Sequence, residues 1–187
     1  HRMPIALEAI RNGYEVHLAS NLTGAHKELL ENEIQVHKLN IDRCKLNFLN
    51  SFKLVIEIFK LFKKVNPDII HAITIKPVIF SGLVLRFFKK VAFVASISGL
   101  GYVFISKNII LKIIRPLVMI FYRFSLSNSP IKVIFQNKND YSLITKSCKL
   151  KSSETLLIDG SGVDLDFYKP LEEQVKSNVV LFASRLL

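Results

Sequence analysis

Short apolar runs rich in β-branched residues alternate with longer segments of helical spacing along almost the whole 187-residue chain. A strand-like period followed at once by a helix-like one, and then repeated, is the pattern of a parallel sheet. Parallel neighbours cannot be joined by a tight turn and need a crossover, usually a helix. The expected fold class is therefore α/β, with a doubly wound parallel sheet. Met3–Asn12 reads as a short helix closed by Gly13, Tyr14–Ala19 as a strand, Gly24–Asn32 as a helix and Ile34–Leu39 as a strand. Phe48–Val65 places Phe52, Val55, Ile56, Phe59 and Phe62 at helical spacing and meets a stop at Asn66-Pro67. Further strands are expected at Asp68–Ile73, Val91–Ile97, Ile131–Gln136 and Thr155–Ile158. Helices at Pro77–Phe88, Asn108–Leu126 and Asn139–Ser147 fall between them.

Domains of this kind usually open with a strand that feeds the first helix, whereas this chain opens in the helix itself. It ends at Arg185-Leu186-Leu187, directly after a strand expected at Asn178–Ala183, and the preceding Gly160–Ser177 is polar and turn-rich. The expectation is a domain over residues 1–170, then a linker and the first strand of a second domain over 171–187, the whole truncated at both ends.

Half of the residues are hydrophobic and 22% are charged, enough apolar mass for a real core and a composition that excludes disorder. Cys44 and Cys148 form neither a CxxC pair nor a disulfide framework, which suits a reduced, cytoplasmic protein. The formal net charge of +11 is unevenly spread: between Asp68 and Asp140 there is no acidic residue, while ten are Lys or Arg. Such a stretch attracts phosphate, on a lipid leaflet, a lipid-linked substrate or a nucleic acid. Lysine as an ordinary solvent-facing residue is the plain alternative. The Asn108–Leu126 helix is strongly apolar, but Lys112, Arg115, Pro116 and Arg123 interrupt it. Its longest uncharged stretch, Pro116–Tyr122, is far below the ~20 residues that span a bilayer. With Phe48–Lys64 it suits a buried helix or one lying on an anionic membrane surface.

Four pieces carry possible chemistry. Asp68-Ile69-Ile70-His71 sets a histidine at the C-terminal end of a strand, where open α/β sheets bind their ligands. Thr74-Ile75-Lys76-Pro77 leads into a helix whose N-terminus favours an anion. Ser98-Gly99-Leu100-Gly101 follows the next strand, and Gly160-Ser161-Gly162-Val163-Asp164 precedes the expected domain junction. Glycines there admit turns and close ligand approach. Each alone also has a purely structural reading. No Walker A loop, hydrolytic triad or metal-ligand histidine spacing is present, and Asp164-Leu165-Asp166 falls in a turn rather than at a strand end.

Taken in order, these pieces resemble the N-terminal half of GT4 glycosyltransferases. The resemblance is carried by His1-Arg2-Met3-Pro4, the Pro67–Pro77 segment, Ser98–Phe104, Val133–Asn137, Gly160–Asp164 with Phe167, and Val180–Leu186. It points to enzymes that build bacterial capsule, O-antigen, lipopolysaccharide and N-glycan precursors, of the undecaprenyl-linked N-acetylgalactosaminyltransferase type. The resemblance implies a GT-B enzyme, with two Rossmann-like domains and the acceptor mainly on the N-terminal one. It implies a retaining hexosyl- or N-acetylhexosaminyltransferase that needs no cofactor and no metal. Its partners would be a nucleotide-diphosphate sugar, a lipid-linked saccharide acceptor and the anionic inner face of the cell membrane, with no nucleic acid. His71 would be the catalytic residue, lining the acceptor side of the cleft, and Arg2, Lys76, Gly99 and Gly101 would bind the acceptor. Arg185 matches an arginine that meets the donor diphosphate. His71 matches the first histidine of a His-x-His, whose second position here is Ile73. The arginine's lysine partner and the acidic donor-sugar motif would lie beyond Leu187, so residues 1–187 alone are expected to be inactive. A sugar-nucleotide epimerase of the same fold and a basic nucleic-acid-binding module are the rival readings.

Overall fold

In a computed structural model, the described residues are 3–21, 33–41, 48–101, 104, 108–128, 130–160, 162–163, 165–166 and 168–169. Helix α1 (Met3–Arg11) precedes strand β1 (His17–Ser20), which pairs in parallel with β2 (Gln35–Lys38). Helix α2 (Phe48–Val65) leads to β3 (Ile69–Ile73), α3 (Ile75–Leu85) and β4 (Ala92–Ile97). Helix α4 (Ile109–Ser125), β5 (Ile131–Phe135), α5 (Lys138–Cys148), a 3-10 turn and β6 (Thr155–Leu157) complete the order. Strands β3-β4-β5-β6 lie side by side in sequence order and are all parallel. The α/β class with parallel sheets is therefore what the alternating pattern required. The described strands form two sheets rather than one, because no ladder joins β1–β2 to β3–β6 among the described residues. The helix expected at Gly24–Asn32 and the strand expected at Asn178–Ala183 lie outside those residues.

Local sequence explains most boundaries. Helix α2 buries Leu54, Ile58 and Phe62, four residues apart, and turns Lys53, Glu57 and Lys60 outward or aside. It ends where Asn66 takes the left-handed conformation (φ 50°) and its N–H bonds the Phe62 carbonyl at 2.8 Å, just before Pro67. Helix α5 starts at Asn137, whose side chain accepts from the Asp140 N–H at 2.8 Å. Helix α3 starts at Ile75, two residues before the expected Pro77. Proline is tolerated in a first turn, where its missing N–H would have no intrahelical partner, so it marked the turn and not the boundary.

The core lies between the four-stranded sheet and its helices. Val78 of α3, Ala95 of β4, Val133 and Phe135 of β5 and Ile144 of α5 are wholly enclosed in one cluster. Helix α3 is apolar on nearly all sides because α2 and α4 flank it. Helices α3 and α4 cross in close contact at Gly82 and Ser125. The Ser125 hydroxyl donates to the Ile79 carbonyl at 2.7 Å, and Asn128 Nδ2 donates to the Gly82 carbonyl at 2.8 Å.

Candidate functional site

Parallel strands end on the same side, so the chain leaving β3, β4, β5 and β6 gathers along one edge of the sheet. His71, expected at a strand end, is instead the middle residue of β3, because the ladder with β4 runs on through Ala72 and Ile73; it is exposed, and its Nε2 lies 2.7 Å from the hydroxyl oxygen of Ser96 on β4. The strand register pairs Ile73 with Ser96, so the histidine reaches diagonally to its neighbour. Ser96 is buried, and its carbonyl also accepts the Thr74 N–H at 3.1 Å. One serine thus holds both the His71 side chain and the turn that follows β3.

Thr74 is held at φ 73° and ψ 169°, a region occupied almost only by glycine. Its carbonyl accepts the Val78 N–H at 3.0 Å, while its side chain makes no capping bond to α3. Lys76, half-buried, follows in the first turn, and Pro77 adds no donor. The positive end of the helix dipole and a lysine therefore come together at the sheet edge.

The β4 exit folds onto the same place. Gly99 and Gly101 both have positive φ, 152° and 66°. A Cβ on Gly101 would lie 3.0 Å from Ile75 Cδ1, so this loop packs on the first turn of α3. Around Gly99 a Cβ would meet nothing within 4 Å, so that position is open. Further along, Gln136 Nε2 donates to the Gly160 carbonyl at 3.4 Å and ties the β5 exit to the β6 exit.

Of the residues singled out from sequence, His71 and Lys76 fall in one connected segment, and Gly101 joins them through Ile75. Arg2 and Arg185 lie outside the described residues, as does Asp164 of the Asp164-Leu165-Asp166 run, whose Leu165 and Asp166 are in a turn. Sequence reasoning passed over Ser96 and, although it singled out the Thr74–Pro77 segment, did not foresee the strained backbone of Thr74. A lone serine inside the apolar run Ala92–Ile97 was the available signal for the first; the Thr74 backbone had none.

A second polar cluster lies on the two-stranded sheet. His17 Nδ1 and His37 Nε2 are 2.9 Å apart, and His17 Nε2 is 3.1 Å from a Glu15 carboxylate oxygen. The two rings meet edge to edge, with planes within 6° and centroids 5.1 Å apart. Burial, His17 and Lys64 together lower the His37 pKa from its ordinary value.

A parallel α/β sheet with strained, glycine-rich turns and a cationic helix start at its C-terminal edge defines the class. It is a Rossmann-like domain that takes its ligand beyond the strand ends. The pattern that defines the Glycosyl transferase 4-like family matches residues 1–137, and the chain belongs to that family. No curated protein matches the chain. The domain is thus a glycosyltransferase domain, of a class that moves a sugar from a nucleotide sugar to an acceptor and releases the nucleotide.

Proposed function

We propose that the chain is the acceptor-side part of a retaining GT-B glycosyltransferase that extends a lipid-linked saccharide. It would transfer a hexosyl or N-acetylhexosaminyl group from a nucleotide-diphosphate sugar in bacterial surface-polysaccharide or glycan synthesis, at the inner face of the cell membrane. The observation that carries this reading is the joint at the sheet edge. There, strained Thr74 joins β3, which carries His71, to the start of α3, which carries Lys76, with the Gly101 loop packed on Ile75.

In this reading His71, Lys76 and Arg2 bind the acceptor, and Gly99 leaves room for it at an open loop. Ser96 orients His71 through its hydroxyl. Arg185 meets the donor diphosphate, and fixed positive groups stabilise the leaving nucleotide as charge develops on it. No resident cofactor or metal takes part.

The test is sugar transfer by the full-length polypeptide from a panel of nucleotide-diphosphate sugars to polyprenyl-diphosphate-linked saccharides. Transfer with retained anomeric configuration, undiminished by EDTA, is expected. An inverted product, or loss of turnover on chelation, would overturn the mechanism. Interconversion of the nucleotide sugar without transfer would favour the epimerase instead.

A further inference from the structure

His37, His17, Glu15 and Gln35 form a chain of polar contacts on the two-stranded sheet. The parallel register sets His17 opposite Gln35 and Ala19 opposite His37. Residues two apart in a strand share a face, so both histidines and Gln35 lie on one side of the sheet. His17 Nδ1 is 2.9 Å from His37 Nε2, and its other nitrogen is 3.1 Å from the Glu15 carboxylate, to which Gln35 also donates. With the ring planes within 6° and the ring centres 5.1 Å apart, nitrogen meets nitrogen nearly in the plane of both rings.

Those contacts fix where the protons stand. A carboxylate only accepts, so His17 carries a hydrogen on Nε2. In a neutral ring its Nδ1 is then a bare acceptor, and His37 must donate to it from Nε2. One added proton is held without loss. As an imidazolium, His17 donates from both nitrogens, to Glu15 and to His37, whose own hydrogen then sits on Nδ1. A second added proton puts N–H against N–H across a gap suited to one hydrogen, and sets two like charges side by side. The charged groups facing the pair are Glu15, in the run into β1, and Lys64, in the last turn of α2. Glu15 favours the first proton, and Lys64 opposes the second. Burial, then His17, then Lys64 hold the His37 pKa below its ordinary 6.5. A metal ion does not suit the same gap of 2.9 Å, because in line between two nitrogens it needs about 4 Å, at ~2.0–2.1 Å per bond. Among the described residues no group of three or more His, Cys, Asp or Glu is placed to hold one.

We propose that His17 and His37 form a one-proton latch, which ties β1 to β2 near neutral pH and opens when both rings are charged. Past the latch the strands are joined by the Leu39 N–H donating to the Ser20 carbonyl at 2.9 Å, and Asn40 Nδ2 reaches Glu57 of α2 at 3.2 Å. Opening therefore loosens β1, β2 and the turn that leads to α2. Strands β3–β6 share no ladder with that pair among the described residues and keep their own. Acid is the destabilising direction, since the closed pair refuses a proton that the opened chain accepts. The contribution of His37 is complete above its ordinary 6.5 and is lost as pH falls through the lower folded value. Nothing in this device depends on sugar transfer.

The experiment is hydrogen exchange on the full-length polypeptide between about pH 8 and pH 5, corrected for the intrinsic pH dependence of amide exchange. Peptides covering β1–β2 are compared with peptides covering β4–β5. On acidification the β1–β2 amides should lose about tenfold or more of their protection while the β4–β5 amides keep theirs. In His37→Gln the loss should be absent, because an amide can donate to His17 or accept from it without taking up a proton. In the parent, the nitrogen-15-labelled rings of the two histidines should titrate as a coupled pair in two separated steps, the second below 6.5. Protection of β1–β2 that is constant with pH, that falls in step with β4–β5, or that falls as steeply in His37→Gln overturns the proposal. So do two rings that titrate independently in single steps, a result that needs no variant to fold.

Discussion

Thr74 shows how one residue is held against its preference. Its φ of 73° and ψ of 169° are fixed from both ends, by the N–H bond to Ser96 and by the carbonyl bond from Val78. Such a backbone costs a non-glycine residue of order 1–3 kcal/mol. Thr74→Gly should therefore raise stability by about 1 kcal/mol after the larger unfolded-state entropy of glycine is offset, read as a higher urea midpoint. An unchanged or lower midpoint would show that the strain is absent or that the threonine side chain outweighs it. Cys148 illustrates a different constraint, since burial pushes its thiol from 9.0 up to about 11, partly opposed by Arg123. The native state then holds the proton more tightly than the unfolded chain. Its contribution to stability is complete below the unfolded value near 9 and is lost as pH rises through about 11. The stability difference between the protein and Cys148→Ala should shrink over that window, and a constant difference would contradict it. Neither state can be read from the residue alone: the Ile73-Thr74-Ile75 string gives no sign of a glycine-like backbone, and Cys148 belongs to an unremarkable polar helix.

At the scale of elements, the crossing of α3 and α4 is the tightest constraint. A Cβ on Gly82 would lie 2.5 Å from the Ser125 carbonyl oxygen and 2.6 Å from the Ser125 Cβ. The helices must part to admit even a methyl group, and the hydrogen bonds from Ser125 and Asn128 would stretch with them. Gly82→Ala should destabilise by roughly 1–3 kcal/mol, against the small gain alanine normally gives within a helix. A neutral or stabilising result in urea unfolding would mean that the helices slide apart freely. The sequence made α3 and α4 legible as helices through their periodicity and the stop signals around them. It did not show that a glycine inside α3 was a contact point, because the partner lies 43 positions away, at 125 against 82. Pro77 misplaced the start of α3 for a local reason, as a residue accepted at the first, second or third helical position cannot mark which one it fills.

For the whole molecule, the family match over residues 1–137 and the parallel sheet agree on a glycosyltransferase domain. The residue proposed to meet the donor, Arg185, stands far along the chain from His71 and Lys76, as expected if two ligands are held from separate segments. In the full-length enzyme Arg185→Ala should lower kcat/KM for the donor about tenfold or more, the loss of a charge-assisted contact of roughly 1.5–3 kcal/mol. Lys76→Ala should instead act mainly on KM for the acceptor. Unchanged donor kinetics in the first variant would remove Arg185 from the site.

The sequence by itself determined the alternation of strands and helices, hence parallel pairing, and with it the side of the sheet on which His71, Lys76 and the glycine loop emerge. Those features follow from local periodicity and from the direction in which the chain leaves each strand. Tertiary structure alone decided that Ser96 stands under both His71 and Thr74, that the Gly101 loop rests on Ile75, and that Gly82 meets Ser125. It also decided which side of α4 remained uncovered. Helix α4 is amphipathic about a flank holding Lys112, Arg115 and Arg123, but its apolar positions cover more of its surface than its neighbours bury, and the packing of α3 against it left Ile113, Leu117 and Ile120 facing outward.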